Sequence, residues 1–151
     1  MSDIRLKYWE IAPEGIAKMQ QLEHYVNTAS GLEHGLLELV RLRASLLNDC
    51  TYCIEMHTAE LKKLNETPER IAVAEWRNSQ AFTARERAAL SWAEAVTNIQ
   101  DGHAPEAIYD EVRAVFSERE TVDLTLAITT INAWNRIAIS LGSHAGREVE
   151  A

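Results

Sequence analysis

Two cysteines, Cys50 and Cys53, and a histidine, His57, lie within one short segment, and a carboxylate, Glu38, precedes the first thiol by twelve residues. Thiols three residues apart on a helix are close enough to be joined after modest adjustment, so the pair can cycle between dithiol and disulfide. Cys53 and His57 differ by about 40° around a helix axis, and Cys50 and His57 by about 20°. All three side chains therefore share one face. Along the axis His57 lies about 6 Å from Cys53 and about 10.5 Å from Cys50. Helical side chains lean toward the N-terminus, so the imidazole is expected to reach Cys53 and not Cys50.

Thiolate formation alone gives little rate. A free thiol of pKa about 8.5 is about 3% ionised at pH 7. Lowering that value by about two units at a helix start raises the thiolate about 25-fold. It also lowers intrinsic nucleophilicity about 8-fold, leaving a gain of about threefold. Useful peroxide chemistry needs a proton delivered to the departing oxygen, a role that suits His57 or Glu38 and is worth about 10²–10⁴-fold. Each residue also has an inert reading. The thiols could be small core side chains, the histidine a packing or capping group, and Glu38 a solvated surface carboxylate. The four side chains could also supply zinc ligands, although zinc sites usually draw their ligands from separate segments.

The elements that carry these residues read as helices throughout. The apolar spacing predicts helices over Glu14 to Ala29, Leu32 to Leu47 and about Cys50 to Leu64. Asn48 and Asp49 read as a turn and as the N-cap of the cysteine helix. Thr67 and Pro68 restart the chain at N-cap and N1. Thr83 with Glu86, and Ser117 with Glu120, spell capping boxes, opening helices to about Ile99 and Ile139. A shorter helix starts at Pro105. No alternating apolar run is present, so no sheet is expected. The fold class is all-α, a bundle of about six to seven helices forming one domain over 1–151. The tail from Gly142 is expected to fray. Met19, Met56 and the four tryptophans read as core, and His24, His34, His103 and His144 as surface residues.

The spacing Glu38-x11-Cys50-x2-Cys53-x3-His57 resembles the core motif of the AhpD-like alkylhydroperoxidases, within the carboxymuconolactone decarboxylase superfamily. The flanking words Glu38-Leu39-Val40-Arg41-Leu42-Arg43-Ala44-Ser45, Glu86 to Trp92 and Ile131 to Arg136 are similar to the same group, so the resemblance covers nearly the whole chain. One departure is Tyr52, where the best-studied type has a histidine before the second cysteine. The resemblance implies an AhpD-like helical bundle, a trimeric or hexameric homo-oligomer and thiol-dependent peroxide reduction. It assigns Cys53 as the attacking cysteine, Cys50 as the resolving one, and Glu38 and His57 as the proton relay. The expected partners are a hydroperoxide and an external dithiol or protein electron donor. No cofactor and no metal are expected, and no dinucleotide fingerprint is present. The rivals are a general thiol–disulfide oxidoreductase, a zinc-stabilised interaction module and a lactone decarboxylase, the last needing no cysteine pair.

Composition narrows the rest. With 23 acidic against 15 basic residues the net charge is −8, which repels nucleic-acid phosphates and anionic membranes. No apolar run reaches transmembrane length, and the first ten residues lack the apolar core of a secretory signal. A cytoplasmic protein is expected. In a reducing compartment a close cysteine pair points to catalysis or metal binding rather than a structural staple.

Overall fold

The computed structural model describes residues 4–142. It is all-helical among these residues. A single turn, α1 (Tyr8–Ile11), leads into α2 (Pro13–Ala29), α3 (His34–Leu47) and α4 (Thr51–Lys63). A second single turn, α5 (Pro68–Ile71), and a 3₁₀ turn (Val73–Asn78) connect to α6 (Ala84–Thr97), α7 (Glu106–Val115) and α8 (Glu118–Leu141). The six longer helices match the sequence-based bundle. Both capping boxes form: Thr83 accepts the Glu86 N–H and Ser117 the Glu120 N–H, while each glutamate accepts the N-cap amide in return. His144 and all but the first residue of the tail from Gly142 lie outside the described residues. His24, His34 and His103 are exposed.

Helix α3 is the central element. Every residue from Leu36 to Leu42 is buried, as are Ala44 and Ser45, and a helix apolar on several sides must be covered on several sides. One face packs Leu36, Leu37 and Val40 with Val26 of α2, Ala89 and Ala93 of α6, Val112 of α7 and Leu124 and Ile128 of α8. Another packs Leu39 and Leu42 with Leu61 of α4, Val73, Trp76, Phe82 and Leu90. Side chains this well buried are each worth about 1.5–3 kcal/mol. Glu38 and Arg41 sit in the same buried stretch, so the core fixes the backbone of two charged residues.

The junction between α3 and α4 departs from the sequence reading. Asn48 and Asp49 do not cap α4. The Asp49 N–H bonds to the Leu46 carbonyl and the Cys50 N–H to the Ser45 carbonyl, the paired bonds of a Schellman ending for α3. Asp49 takes the left-handed residue of that motif, with φ 54°. Cys50 is thereby delivered in an extended conformation as the N-cap of α4, and its carbonyl accepts the Ile54 N–H at 2.8 Å. The Asn48 side chain is turned away to α8. The cysteine helix therefore starts at Thr51, with Cys50 just outside it.

Candidate active site

Cys50 and Cys53 are joined as a disulfide, with Cα atoms 5.3 Å apart. Both are almost wholly buried, at 1% and 2% exposure. They pack with Tyr52, Met56 and, from α8, Ala138. The turn before them is held by side-chain amides and a hydroxyl. Asn48 Nδ2 donates to Oδ1 of Asn132 and Oδ1 of Asn135, each at 2.9 Å, and Asn135 Nδ2 donates to Ser45 Oγ at 3.1 Å. Arg136 also donates to Asn132 Oδ1. Helix α8 thus clamps the end of α3 from which Cys50 emerges.

One turn after Cys53, His57 Nδ1 lies 2.8 Å from Glu38 Oε1. The other carboxylate oxygen, Oε2, accepts from Arg41 Nη1 at 2.8 Å, and Arg41 Nη2 donates to Asn27 Oδ1 at 2.7 Å. Glu38, Arg41 and His57 are 3%, 4% and 7% exposed. Burial is the largest single influence on the Glu38 carboxyl and pushes its pKa up. The hydrogen bond and charge of His57, with the Arg41 guanidinium, outweigh it and hold the group below the usual carboxylate range. An ionised carboxylate only accepts, so the shared proton sits on His57 Nδ1. That leaves Nε2 as the working atom of the ring. It is buried and meets no partner among the described residues.

A cavity of about 110 Å³ lies against His57 and Cys53. Tyr52, Cys53, Met56 and His57 of α4 form one wall, and Ile131, Trp134 and Ala138 of α8 another. Tyr8 and Trp9 of α1 and Ile16, Gln20 and Glu23 of α2 complete it. Cys50 is not among the lining residues. The segment before α1 is tied down by the N–H groups of Arg5 and Leu6, which both donate to the Leu141 carbonyl.

The structure thus brings Glu38, Cys50, Cys53 and His57 into one buried group, with Cys53 and His57 facing the cavity. Sequence reasoning missed Arg41, although its three-residue spacing from Glu38 is the spacing of a helical ion pair. It also read Met56 and all four tryptophans as core. Trp76 and Trp92 are buried in the two large clusters, whereas Met56, Trp9 and Trp134 line the cavity. Among the described residues no three His, Cys, Asp or Glu side chains are grouped to hold a metal ion. No described helix is long and apolar enough to cross a membrane.

Residues 13–95 match the carboxymuconolactone decarboxylase family. The uncharacterized protein YdfG of Bacillus subtilis is 39% identical over 142 residues, covering 93% of this chain and 96% of YdfG. A solved structure from Agrobacterium tumefaciens, of unknown function and described provisionally as the antioxidant defence protein AhpD, is 40% identical. It superposes with a TM-score of 0.89, covering 94% of this chain and 97% of its own. An uncharacterized peroxidase-related protein from Ralstonia eutropha, with an alkylhydroperoxidase AhpD core, shares the fold at a TM-score of 0.77. It is 22% identical and is matched over 90% of this chain and 73% of its own.

Proposed function

The chain belongs to the carboxymuconolactone decarboxylase family, among its AhpD-like members, and from that membership we propose that it is a thiol-dependent peroxidase acting on organic hydroperoxides. The observation that carries this reading is the shared cavity. It reaches Cys53 and His57 together, and His57 is anchored from behind by an ionised Glu38.

In the reduced protein His57 Nε2 takes the proton of the Cys53 thiol. The thiolate attacks the terminal oxygen of R–O–OH, and the O–O bond breaks. Cys53 becomes a sulfenic acid and the peroxide leaves as RO⁻. The imidazolium returns its proton to that oxygen, giving ROH. Cys50 then gives up its thiol proton and attacks the Cys53 sulfur, expelling hydroxide, which takes up that proton and leaves as water as the disulfide forms. The sum converts two thiols and ROOH into one disulfide, ROH and water. An external dithiol reduces the disulfide and is itself oxidised. In this scheme Glu38 orients the imidazole and stabilises its cationic form, and Arg41 keeps Glu38 ionised.

Both sulfurs are buried, and one of them faces a narrow cavity. That arrangement favours small substrates over disulfide exchange with a protein surface.

Peroxide consumption with a small dithiol donor tests the proposal, run on the wild type and both cysteine variants. Cys53→Ser is expected to abolish reaction. Cys50→Ser is expected to react once and leave a sulfenic acid at Cys53, detectable by a specific probe and mass mapping. Wild-type protein that consumes no hydroperoxide refutes the activity. A single-turnover burst that survives in Cys53→Ser and is lost in Cys50→Ser reverses the two roles.

A further inference from the structure

We propose that the indole N–H of Trp134 is a substrate-binding donor, which together with His57 Nε2 holds the oxygens of an uncharged organic hydroperoxide in the cavity. This rests on the peroxidase reading. Ile131, Trp134 and Ala138 recur at helical spacing on one face of α8, and that face lines the same cavity as Cys53 and His57. A buried polar atom without a partner is rare. Among the described residues, Trp134 Nε1 and His57 Nε2 are two such atoms, and both belong to residues lining this one cavity.

The other buried indoles show that this chain otherwise pairs such groups. Trp76 Nε1 donates to Glu94 and Trp92 Nε1 to Thr125 Oγ1, each at 2.9 Å. An indole N–H can only donate, so the unpaired one calls for an acceptor, and a peroxide oxygen is one. Trp9, Ile16, Met56 and Ile131 supply apolar walls for the organic group. At about 110 Å³ the space is of the order of the ~150 Å³ cavity that takes up benzene, and hydrogen peroxide would leave most of it unfilled. Glu23 stands in the lining and disfavours a substrate carboxylate. During O–O cleavage the Trp134 N–H keeps its proton. It stabilises the charge growing on the departing oxygen while His57 transfers the proton.

The test compares wild type with Trp134→Phe, which keeps an aromatic ring and deletes the donor. First, oxidised protein carrying ¹⁵N-labelled tryptophan is titrated with 2-phenylpropan-2-ol, the alcohol formed from cumene hydroperoxide. The indole resonance missing from Trp134→Phe is expected to shift saturably in the wild type. Second, kcat/KM for cumene hydroperoxide is expected to fall about 10²-fold in Trp134→Phe, the effect of losing one such donor. Reduction of the disulfide by dithiothreitol is expected to stay within about twofold, because that step leaves no charge on a peroxide oxygen. An unmoved Trp134 indole at saturating alcohol, or a wild-type kcat/KM in the variant, overturns the proposal. If the wild type consumes no hydroperoxide, the peroxidase reading fails by itself, and the titration alone decides whether Trp134 binds such ligands. If the variant does not fold, the same titration decides, with the indole assigned by sequential assignment through the backbone of α8.

Discussion

Replacing Arg41 with Met keeps most of the aliphatic stem and removes the cation from a buried ion pair. Glu38 Oε2 then loses its 2.8 Å partner while staying in a site where the side chain is 3% exposed. In the wild type the carboxyl is held below its ordinary value of 4.5. Its contribution to stability is therefore complete above that pH and is lost only as the pH falls through the lowered value. Without Arg41, burial is less opposed and the carboxyl moves up from its lowered value, with the His57 hydrogen bond still holding against burial. The cost of the lost partner is greatest where Glu38 is charged and is relieved as the pH falls. Breaking a buried pair by removing one partner costs about 3–5 kcal/mol. Protonating the orphan sets a ceiling. Each pH unit above 4.5 adds about 1.4 kcal/mol to the cost of holding a proton there, so at pH 7.5 the charge penalty is at most about 4 kcal/mol. That route becomes easier in acid. Urea unfolding of the oxidised proteins at equal concentration, from pH 8 to pH 5, is expected to show a gap of about 3–4 kcal/mol at pH 7.5. That gap is expected to shrink by at least half at pH 5. A gap that stays constant with pH would refute the reasoning, because it would show that Arg41 acts by packing and not by charge.

Two further outcomes are expected. Glu38→Gln should slow peroxide reduction about 10- to 100-fold, short of the full worth of proton transfer, and change its pH profile. A stopped-flow profile superimposable on wild type would remove Glu38 from the relay. The chain should also associate with copies of itself, because Ile11, Val122 and Ile139 are exposed large apolar side chains and such surface seeks cover. Light scattering that returns a multiple of the chain mass agrees, and a monomer mass refutes it.

Most of the helical frame was legible because its signals are local. Thr83 with Glu86 and Ser117 with Glu120 declare their helix starts within four residues, and the structure follows them. The start of α4 was not legible. Asn48 and Asp49 are good N-cap types, but the Asn48 amide is claimed by Asn132 and Asn135, more than eighty residues away in sequence. That tertiary bond, together with the Schellman ending of α3, leaves the cap position to Cys50. The single turn at Tyr8 is too short to carry a period, and the segment before it is held by the Leu141 carbonyl at the far end of α8. Glu38, Cys50, Cys53 and His57 stood out because their types and spacing are chemical. Trp134 did not. A tryptophan on an apolar helix face looks the same whether it fills a core or lines a cavity, and only the missing acceptor for its N–H distinguishes the two.

The clamp behind the cysteines has a consequence for kinetics. Asn48, Asn132, Asn135 and Ser45 hold the turn with amides and a hydroxyl, groups that carry no charge, and Arg136 adds a further donor to Asn132. The mounting of the thiols is thus insensitive to acidity, whereas the groups mounted on it are not. A bell or slope in a pH–rate profile would therefore not originate in the amides and hydroxyl that hold this turn.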